Sequence, residues 1–457
     1  MPLVPPGDAL YLWIETESSP CGVVALQTFN LPEGATRETL DELYAGMTDP
    51  SSVKRSFRRR AYRSASTGGQ YAWAEDDNLD MSKHVIRHVL PGPGRIRDLL
   101  AYVGRIHSTR LDRSSPLWQA HLVEGIEGNQ FALCTKMHHA AFDGVNMARH
   151  LLGGFSANPE ARNCTAPWIE TKLMKTASAS QSAEPRSNAD RVLDAGKAVA
   201  ASAAALARTG RSALLDRDVA VPYSAPDTIF NGQVDSSRRF AGDAWPIDRL
   251  RAVSKRTGTS LNDVAMAMCA SALRGYLAEG DALPSRSLVA MVPVSLAGTD
   301  AAGTPTEGNA FGAALCSLGT DLPSPMARLE HIHQQMARNK ALMADLDPTT
   351  AALYSVANMT PTLIATLPRM PRLPRTGFNL VMSNVPGIRK QLYFNGCPLT
   401  GVYPVSMVFQ RQALNMTMVS YVDQLAFGFV GCARLVPHLQ RLLIHLEKGI
   451  GELDNAS

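Results

Sequence analysis

The chain has 457 residues, of which 45% are hydrophobic, and its 45 Lys and Arg side chains oppose 41 Asp and Glu side chains. A chain of this length and apolar content exceeds one ordinary hydrophobic core, so we predict two domains. The net charge of +4 is small and dispersed, which argues against a nucleic-acid-binding protein and leaves weak attraction to an anionic membrane open.

The cysteines and the apolar runs indicate the compartment. The seven cysteines are far apart, odd in number and form no C-x-x-C pair, which disfavours a disulfide scaffold and a zinc site. The N-terminal residues lack the pattern of a secretion signal, and no run of about eighteen apolar residues follows. We therefore predict an unsecreted, cytoplasmic protein that does not span a membrane.

Residues 1–154 are predicted to form the first domain. Their last apolar run, Phe131–Met137, is typical of a buried strand, and apolar residues then recur at helical spacing until Gly153-Gly154 supplies a stop. The segment HHAAFDG between them is therefore predicted to connect a strand to a helix. Residues 155–225 are rich in Ala and Ser and are predicted to be a partly helical linker.

Residues 226–457 are predicted to form the second domain. Ser260 and Asp263 have the spacing of a capping box at the start of a helix, and SLVAMVPVSL is typical of a buried strand. Because helix and strand signals intermix in both halves, we predict an α/β (α+β) fold with mixed sheets.

The end of this second half contains two predicted hairpins and a last helix. One hairpin turns at Asn395-Gly396 and the other at Asp423-Gln424. The last helix is predicted to begin at Pro437, since proline is favoured in the first turn.

The clearest chemical signal is the heptapeptide that begins with His138 and His139 and ends with Asp143 and Gly144. Adjacent residues at a strand end point to opposite sides, so one imidazole can face a cavity while the other is held in the structure. A neutral imidazole, with a pKa of about 6.5, suits the removal of a hydroxyl proton at neutral pH. Asp143 can cap the following helix or pair with a basic residue, and Gly144 allows close backbone packing.

Other interpretations of the heptapeptide are open. Each residue taken alone is more often an ordinary loop histidine or an ordinary N-cap than a catalytic group. Two adjacent histidines do not readily converge on one metal ion, and no further His or Cys lies at a suitable spacing. A Ser or Cys nucleophile lacks its usual context, because G-x-S-x-G is absent. Direct transfer without a covalent enzyme intermediate is then the simpler chemistry.

The chain resembles the bacterial wax ester synthase/acyl-CoA:diacylglycerol acyltransferases of the coenzyme A-dependent acyltransferase superfamily. The resemblance covers almost the whole chain. It rests on HHAAFDG together with DALYLW near the start, LDRSSPLW, SLNDV, PVSL, Gly308-Asn309, SNVPG and the LNMT hairpin.

The resemblance implies two chloramphenicol-acetyltransferase-like domains with an active-site tunnel between them, entered by acyl-CoA on one side and by the acceptor alcohol on the other. It implies that His139 is the general base and that His138 and Asp143 support the site. Gly144, Asn262, Ser383 and Asn384 are expected to contact substrate, the last three from the second domain, where an N-cap turn and a strand end would also explain them. No metal or cofactor besides the co-substrate acyl-CoA is expected.

Two segments depart from the family pattern. Many relatives have Met-His-Val-Gly where Pro20-Cys21-Gly22-Val23 stands here, and a proline commonly follows SNVPG where this chain has Ile388. Neither departure touches the proposed base, but both bear on the shape of the lipid tunnel.

The expected reaction moves a long-chain acyl group from acyl-CoA to a fatty alcohol or diacylglycerol, forming wax esters or triacylglycerol. Such substrates partition into bilayers, so we expect peripheral association with the inner membrane or with lipid inclusions. The apolar, Arg-containing segment 361–375 is a candidate contact, although a buried helix followed by a basic loop explains it equally well. The alternatives are a carrier-dependent condensation-type acyltransferase, which shares the HHxxxDG pattern, and a non-catalytic lipid-binding protein.

Overall fold

The structure is a computed structural model that describes residues 2–142, 150–170, 223–295, 311–366 and 376–456, together with Met147 and Ala220. Most of the predicted linker, as well as Asp143 and Gly144, lies outside these residues. Gly308-Asn309 and residues 367–375 of the predicted membrane-contact segment also lie outside them.

The first large sheet is mixed and carries the histidine pair. Its strands are β1 Gly22–Asn30, β4 Val85–Val89, β5 Trp118–Ile126, β6 Gln130–His138, β11 Tyr393–Phe394 and β12 Cys397–Val405, and β2 Arg59–Arg63 and β3 Tyr71–Glu75 form a separate pair. The sheet order is β11-β12-β1-β6-β5-β4. Strand β6 is central and buried on both faces, which explains its continuous apolar run.

The second large sheet has the order β7-β14-β13-β10-β8-β9. Its strands are β7 Arg238–Pro246, β8 Val289–Ser295, β9 Phe311–Ser317, β10 Leu380–Ile388, β13 Leu414–Tyr421 and β14 Gln424–Cys432. Strand β10 runs parallel to both β8 and β13, while the other pairs are antiparallel. The strand predicted from SLVAMVPVSL is confirmed as β8.

The α-helices cover the sheets. In the part of the chain that the structure describes, they include α1 Pro6–Ile14, α2 Arg37–Met47, α3 Ile96–Ser108, α4 Ile247–Thr257, α5 Leu261–Glu279, α6 Pro325–Ala344, α7 Pro348–Thr366 and α8 Arg441–Asn455, besides the helical residues 150–152. Helix α5 begins with the predicted capping box, in which Asp263 N donates to Ser260 Oγ and Ser260 N donates to Asp263 Oδ2. Within the described ranges, no helix combines the length and hydrophobicity needed to cross a bilayer.

The hairpin of β11 and β12 joins the two halves of the chain. Asn395 and Gly396 have φ angles of 49° and 83°, which confirms the predicted primed turn. Strand β12 then pairs antiparallel with β1, with Val405 opposite Val24. The sheet that starts within residues 1–154 is therefore completed by a segment from beyond residue 390.

Two predicted boundaries are wrong by a few residues. The second hairpin turns at Val422-Asp423 instead of Asp423-Gln424, because Gln424 is already paired with Tyr421 in the sheet. The hydroxyl of Tyr421 also accepts a hydrogen bond from Leu392 N, which fixes the end of this strand. The last helix begins at Arg441 instead of Pro437. The φ angle of His438 is 53°, a left-handed conformation that an α-helix does not contain.

Candidate active site

The turn that follows β6 carries the histidine pair. His138 ends the strand, and its backbone N donates to Leu117 O at 3.0 Å. His139 N donates to Cys21 O, also at 3.0 Å, which ties the turn to the segment that leads into β1. Residues 150–152 are helical, so the predicted strand-to-helix connection is confirmed.

His138 is a buried residue of the structural core, with 1% of its surface exposed. Its Nδ1 accepts a hydrogen bond from Ala140 N at 3.1 Å, which leaves Nε2 as the nitrogen that can carry a proton. That Nε2 lies 3.4 Å from Glu15 Oε1. Each ring nitrogen therefore has a polar neighbour, a hydrogen-bonded amide on one side and a carboxylate oxygen on the other.

Glu15, at the end of α1, is the buried carboxylate behind His138. Its Oε1 accepts a hydrogen bond from Cys21 N at 3.0 Å, and its Oε2 accepts from Arg113 Nη2 at 2.8 Å. Burial alone would raise the pKa of Glu15, but the contacts with His138, the Cys21 amide and Arg113 lower it to about 2. The carboxylate is thus ionised at neutral pH.

Sequence reasoning did not single out Glu15 or Arg113. Arg113 lies inside LDRSSPLW, one of the segments that carries the family resemblance, and Glu15 closely follows another. A charged residue in or beside such a segment indicates a role in the site. The sequence does not show that either residue contacts His138, because both are far from it along the chain.

His139 faces the opposite way and is half-buried. Its ring stacks on Tyr11, with ring centroids 4.1 Å apart and planes 30° apart. Burial raises the pKa of Tyr11 well above its usual value, so the phenol stays neutral. The stacked ring restricts the orientation of the His139 imidazole.

His139 borders a mainly apolar cavity of about 150 Å³ that lies between the two large sheets. Strands β1 and β12 form one wall, with Val23 and Pro404 among the lining residues, and β10 and β13 form the other, with Ser383 and Val419. The structure therefore brings His139 of the first domain and Ser383 of the second domain to one cavity.

Asn262 and Asn384 are brought together beside this cavity. Asn384 Nδ2 donates to Asn262 Oδ1 at 3.0 Å, which links the first turn of α5 to β10. Neither residue is among those that line the cavity. Their expected contact with substrate stays a prediction.

The segment SNVPG lies within β10 and extends almost to its last residue, which agrees with the strand end that the sequence left open. A β-carbon on Gly387 would lie 1.4 Å from the Ser420 carbonyl oxygen, so only glycine fits between the strands here. Ile388, the departure from the family pattern, still pairs with Tyr421. The register between β10 and β13 shifts between Val385 and Ile388, and the strand resumes its pairing after the shift.

The other departure, Pro20–Val23, was expected not to touch the base but bonds the backbone of His139 through Cys21 O, and its Gly22 leaves space for a buried lysine. Gly22 lies opposite His138 in the sheet, and a β-carbon there would come within 2.7 Å of Lys136 Cε. Lys136 Nζ donates to the carbonyl of Ile106, at 2.7 Å, and to that of Thr109. Burial lowers the pKa of Lys136 to about 8.

Among the described residues near the histidines there is neither a thiolate nor a cluster of metal ligands. Burial raises the pKa of Cys21 far above its usual value, so this thiol is a poor nucleophile. Among the residues that the structure describes, His, Cys, Asp and Glu form no group of three or more that could bind a metal ion.

Comparison with known structures identifies the fold. A wax ester synthase/diacylglycerol acyltransferase from Marinobacter aquaeolei VT8 is 36% identical and superposes with a TM-score of 0.79 over 99% of both chains. The first condensation domain of the calcium-dependent antibiotic synthetase gives a TM-score of 0.60 at 14% identity, over 99% of this chain and 95% of that one, which shows a shared fold alone. The predicted pair of chloramphenicol-acetyltransferase-like domains with mixed sheets is confirmed.

Sequence comparison identifies the family. A putative diacylglycerol O-acyltransferase of Mycobacterium tuberculosis is 41% identical over 456 residues, which are 99% of both chains. The O-acyltransferase WSD of Acinetobacter baylyi is 34% identical over 453 residues, 97% of this chain and 95% of that one. The catalytic-domain model of wax ester synthase/diacylglycerol acyltransferase matches residues 4–265, and the C-terminal-domain model matches residues 307–454. This chain therefore belongs to the wax ester synthase/diacylglycerol acyltransferase family.

Proposed function

We propose that this protein transfers a long-chain acyl group from acyl-CoA to the hydroxyl group of a fatty alcohol or a diacylglycerol, which forms wax ester or triacylglycerol. The observation that supports this most directly is the position of His139. Its imidazole borders an apolar cavity between the two sheets, while the buried Glu15–His138 contact holds the turn that carries it.

His139 acts as the general base in the proposed reaction. It removes the proton of the acceptor hydroxyl as the oxygen attacks the thioester carbonyl, which forms a C–O bond and a tetrahedral oxyanion. Collapse of this intermediate breaks the C–S bond and releases the coenzyme A thiolate, which takes the proton back from His139.

The oxyanion needs hydrogen-bond donors at the cavity wall. Ser383 is the side-chain candidate, because it lines the cavity together with His139. Asn384 donates one amide hydrogen to Asn262, which fixes α5 against β10, and a substrate contact of its second amide hydrogen remains part of the proposal. His138 and Glu15 position the base and take no proton in this scheme.

The protein is further proposed to work on the surface of the inner membrane or of lipid inclusions. The support is chemical, because long-chain alcohols, diacylglycerols and the products all partition into apolar phases. Cosedimentation with vesicles of mixed anionic and neutral phospholipid, with and without dioleoylglycerol, tests this proposal. Absence of the protein from the vesicle pellet under both conditions would contradict it.

The test of catalysis is the release of free coenzyme A from palmitoyl-CoA, with hexadecanol or dioleoylglycerol as acceptor. Replacing His139 by Ala should reduce acceptor-dependent release by about 10²–10⁴-fold, the usual contribution of a general base. The ratio of the rates with the two acceptors identifies the preferred one.

His438→Asn is the matched control, because it removes an exposed histidine whose left-handed backbone asparagine tolerates. Its activity should equal that of the wild type. If neither acceptor stimulates release in the wild type, a carrier-linked substrate or a binding role replaces the proposal. Full activity in His139→Ala would reject His139 as the base.

A further inference from the structure

The cavity beside His139 runs along β1. Val23, Val24, Ala25 and Gln27 of this strand line the cavity, and Val23, Ala25 and Gln27 among them lie on the same face of the sheet. On β12, Pro404 lies opposite Ala25, and Val402 lies opposite Gln27. The wall between the first and last of these positions is therefore apolar.

The direction of the cavity follows from the strand. His139 N donates to Cys21 O, one residue before β1 begins, so the reacting end of the cavity lies near Val23. Gln27 is four residues further on, which corresponds to about 13 Å at the usual rise of a strand. Gln27 is therefore the cavity-lining residue of β1 that lies furthest from the base.

The side chain of Gln27 is fully buried, with 0% of its surface exposed. Its Nε2 donates a long hydrogen bond of 3.4 Å to the Leu151 carbonyl, the one contact that the described residues give it. Its Oε1 has no hydrogen-bond partner among the residues that the structure describes. A buried carbonyl without a partner is unfavourable, and an approaching methyl group cannot supply one.

We propose that Gln27 closes the far end of this cavity and thereby sets the length of the aliphatic chain that the enzyme accepts. The inference rests on the proposed function, because it takes the cavity as the site of an alkyl chain. Each methylene group that enters the apolar section between Val23 and Gln27 contributes favourable binding free energy. This contribution ends at the Gln27 amide, which blocks the alkyl chain and offers it no apolar contact.

The test compares kcat/KM over two series of substrates. One series runs from decanoyl-CoA to eicosanoyl-CoA with hexadecanol, and the other runs from decanol to eicosanol with palmitoyl-CoA. Gln27→Ala removes the side chain beyond Cβ and lengthens the apolar section. In one series, the activity on chains two carbons longer than the wild-type optimum should rise roughly fifteenfold relative to the optimum, because each of the two buried methylenes changes affinity about fourfold.

The series that changes shows whether the cavity holds the acyl group or the alcohol. Gln27→Leu keeps the size of the side chain and removes the amide, so it tests the inference even if Gln27→Ala fails to fold. With the longest chain that the wild type accepts, kcat/KM should rise about threefold, because the chain end then meets an apolar side chain. Longer chains should still be excluded.

Thr28→Val is the control, because Thr28 is the next residue of the same strand but does not line the cavity. Its hydroxyl is instead hydrogen-bonded to that of Thr400. Its chain-length profile should match the wild type. An active wild type with unchanged profiles in both Gln27 variants would overturn the inference, and so would equal shifts in both series. An inactive wild type would instead reject the proposed function.

Discussion

Glu15 is a buried carboxylate whose partners are an imidazole, a backbone amide and a guanidinium. Its pKa of about 2 in the folded protein lies below the unfolded value of about 4.3. The native state therefore binds this proton less readily than the unfolded chain does. Ionised Glu15 contributes stability above about pH 4.3, and the contribution disappears as the pH falls towards 2.

Glu15→Gln keeps the shape of the side chain and removes its charge. At pH 7 we expect the free energy of unfolding to fall by roughly 1–3 kcal/mol, because Arg113 and the Cys21 amide lose a charged acceptor. The difference from the wild type should shrink between about pH 4.3 and 2, as Glu15 becomes protonated in the wild type. Urea unfolding at a series of pH values measures both effects.

Glu17→Gln is the matched control, because Glu17 is exposed and pairs with Arg110 at the surface. Exposed ion pairs contribute little, so its stability should follow the wild type at every pH. A Glu15→Gln variant as stable as this control would contradict the assigned role of the buried carboxylate.

Helix α5 carries a sequence motif, its capping box, directly beside a candidate site residue. Its capping box fixes the first turn, and that turn presents Asn262 to Asn384 of β10. Ser260→Ala should lower the free energy of unfolding by about 1 kcal/mol, since one helical N–H loses its acceptor. Chemical denaturation measures the change.

Thr36→Ala provides the comparison, because Thr36 is the N-cap of α2 but makes no side-chain capping bond. Its effect should be smaller than that of Ser260→Ala. Equal stability losses in the two variants would show that the Ser260 bond contributes nothing specific.

Prediction from sequence succeeded for elements whose signals are local. The strand before His138, the turn at Asn395-Gly396 and the cap at Ser260 each follow from a few neighbouring residues. The pairing of β12 with β1 was missed because no periodicity records a contact between residues so distant in sequence. The contact of Glu15 with His138 was missed for the same reason, whereas the histidine pair itself stands out as a motif.

At the scale of the whole molecule, the two sheets meet through a close backbone contact. A β-carbon on Gly428 of β14 would lie 1.8 Å from the Pro404 carbonyl oxygen of β12. Gly428→Ala should therefore destabilise the protein by about 3 kcal/mol or more, because backbone cannot rotate away as a side chain can. Thermal and urea unfolding both measure this effect.

Gly46→Ala is the control for this substitution, since a β-carbon at Gly46 in α2 meets nothing within 4 Å. It should be neutral or stabilising, as alanine is favoured over glycine within a helix. A Gly428→Ala variant with wild-type stability would mean that the sheets separate easily at this contact.

The position of β12 in the first sheet also has a consequence for biosynthesis. Strands β1 and β6 leave the ribosome early, but β1 keeps one edge unpaired until residues 397–405 have been made. At about 5–20 residues per second, the interval after residue 138 is roughly 10–50 s. An apolar strand edge is open to wrong partners throughout that time. The nascent chain therefore contains its histidine pair long before the cavity beside His139 can form. We infer that the free edge of β1 has to be protected during translation if active enzyme is to be made.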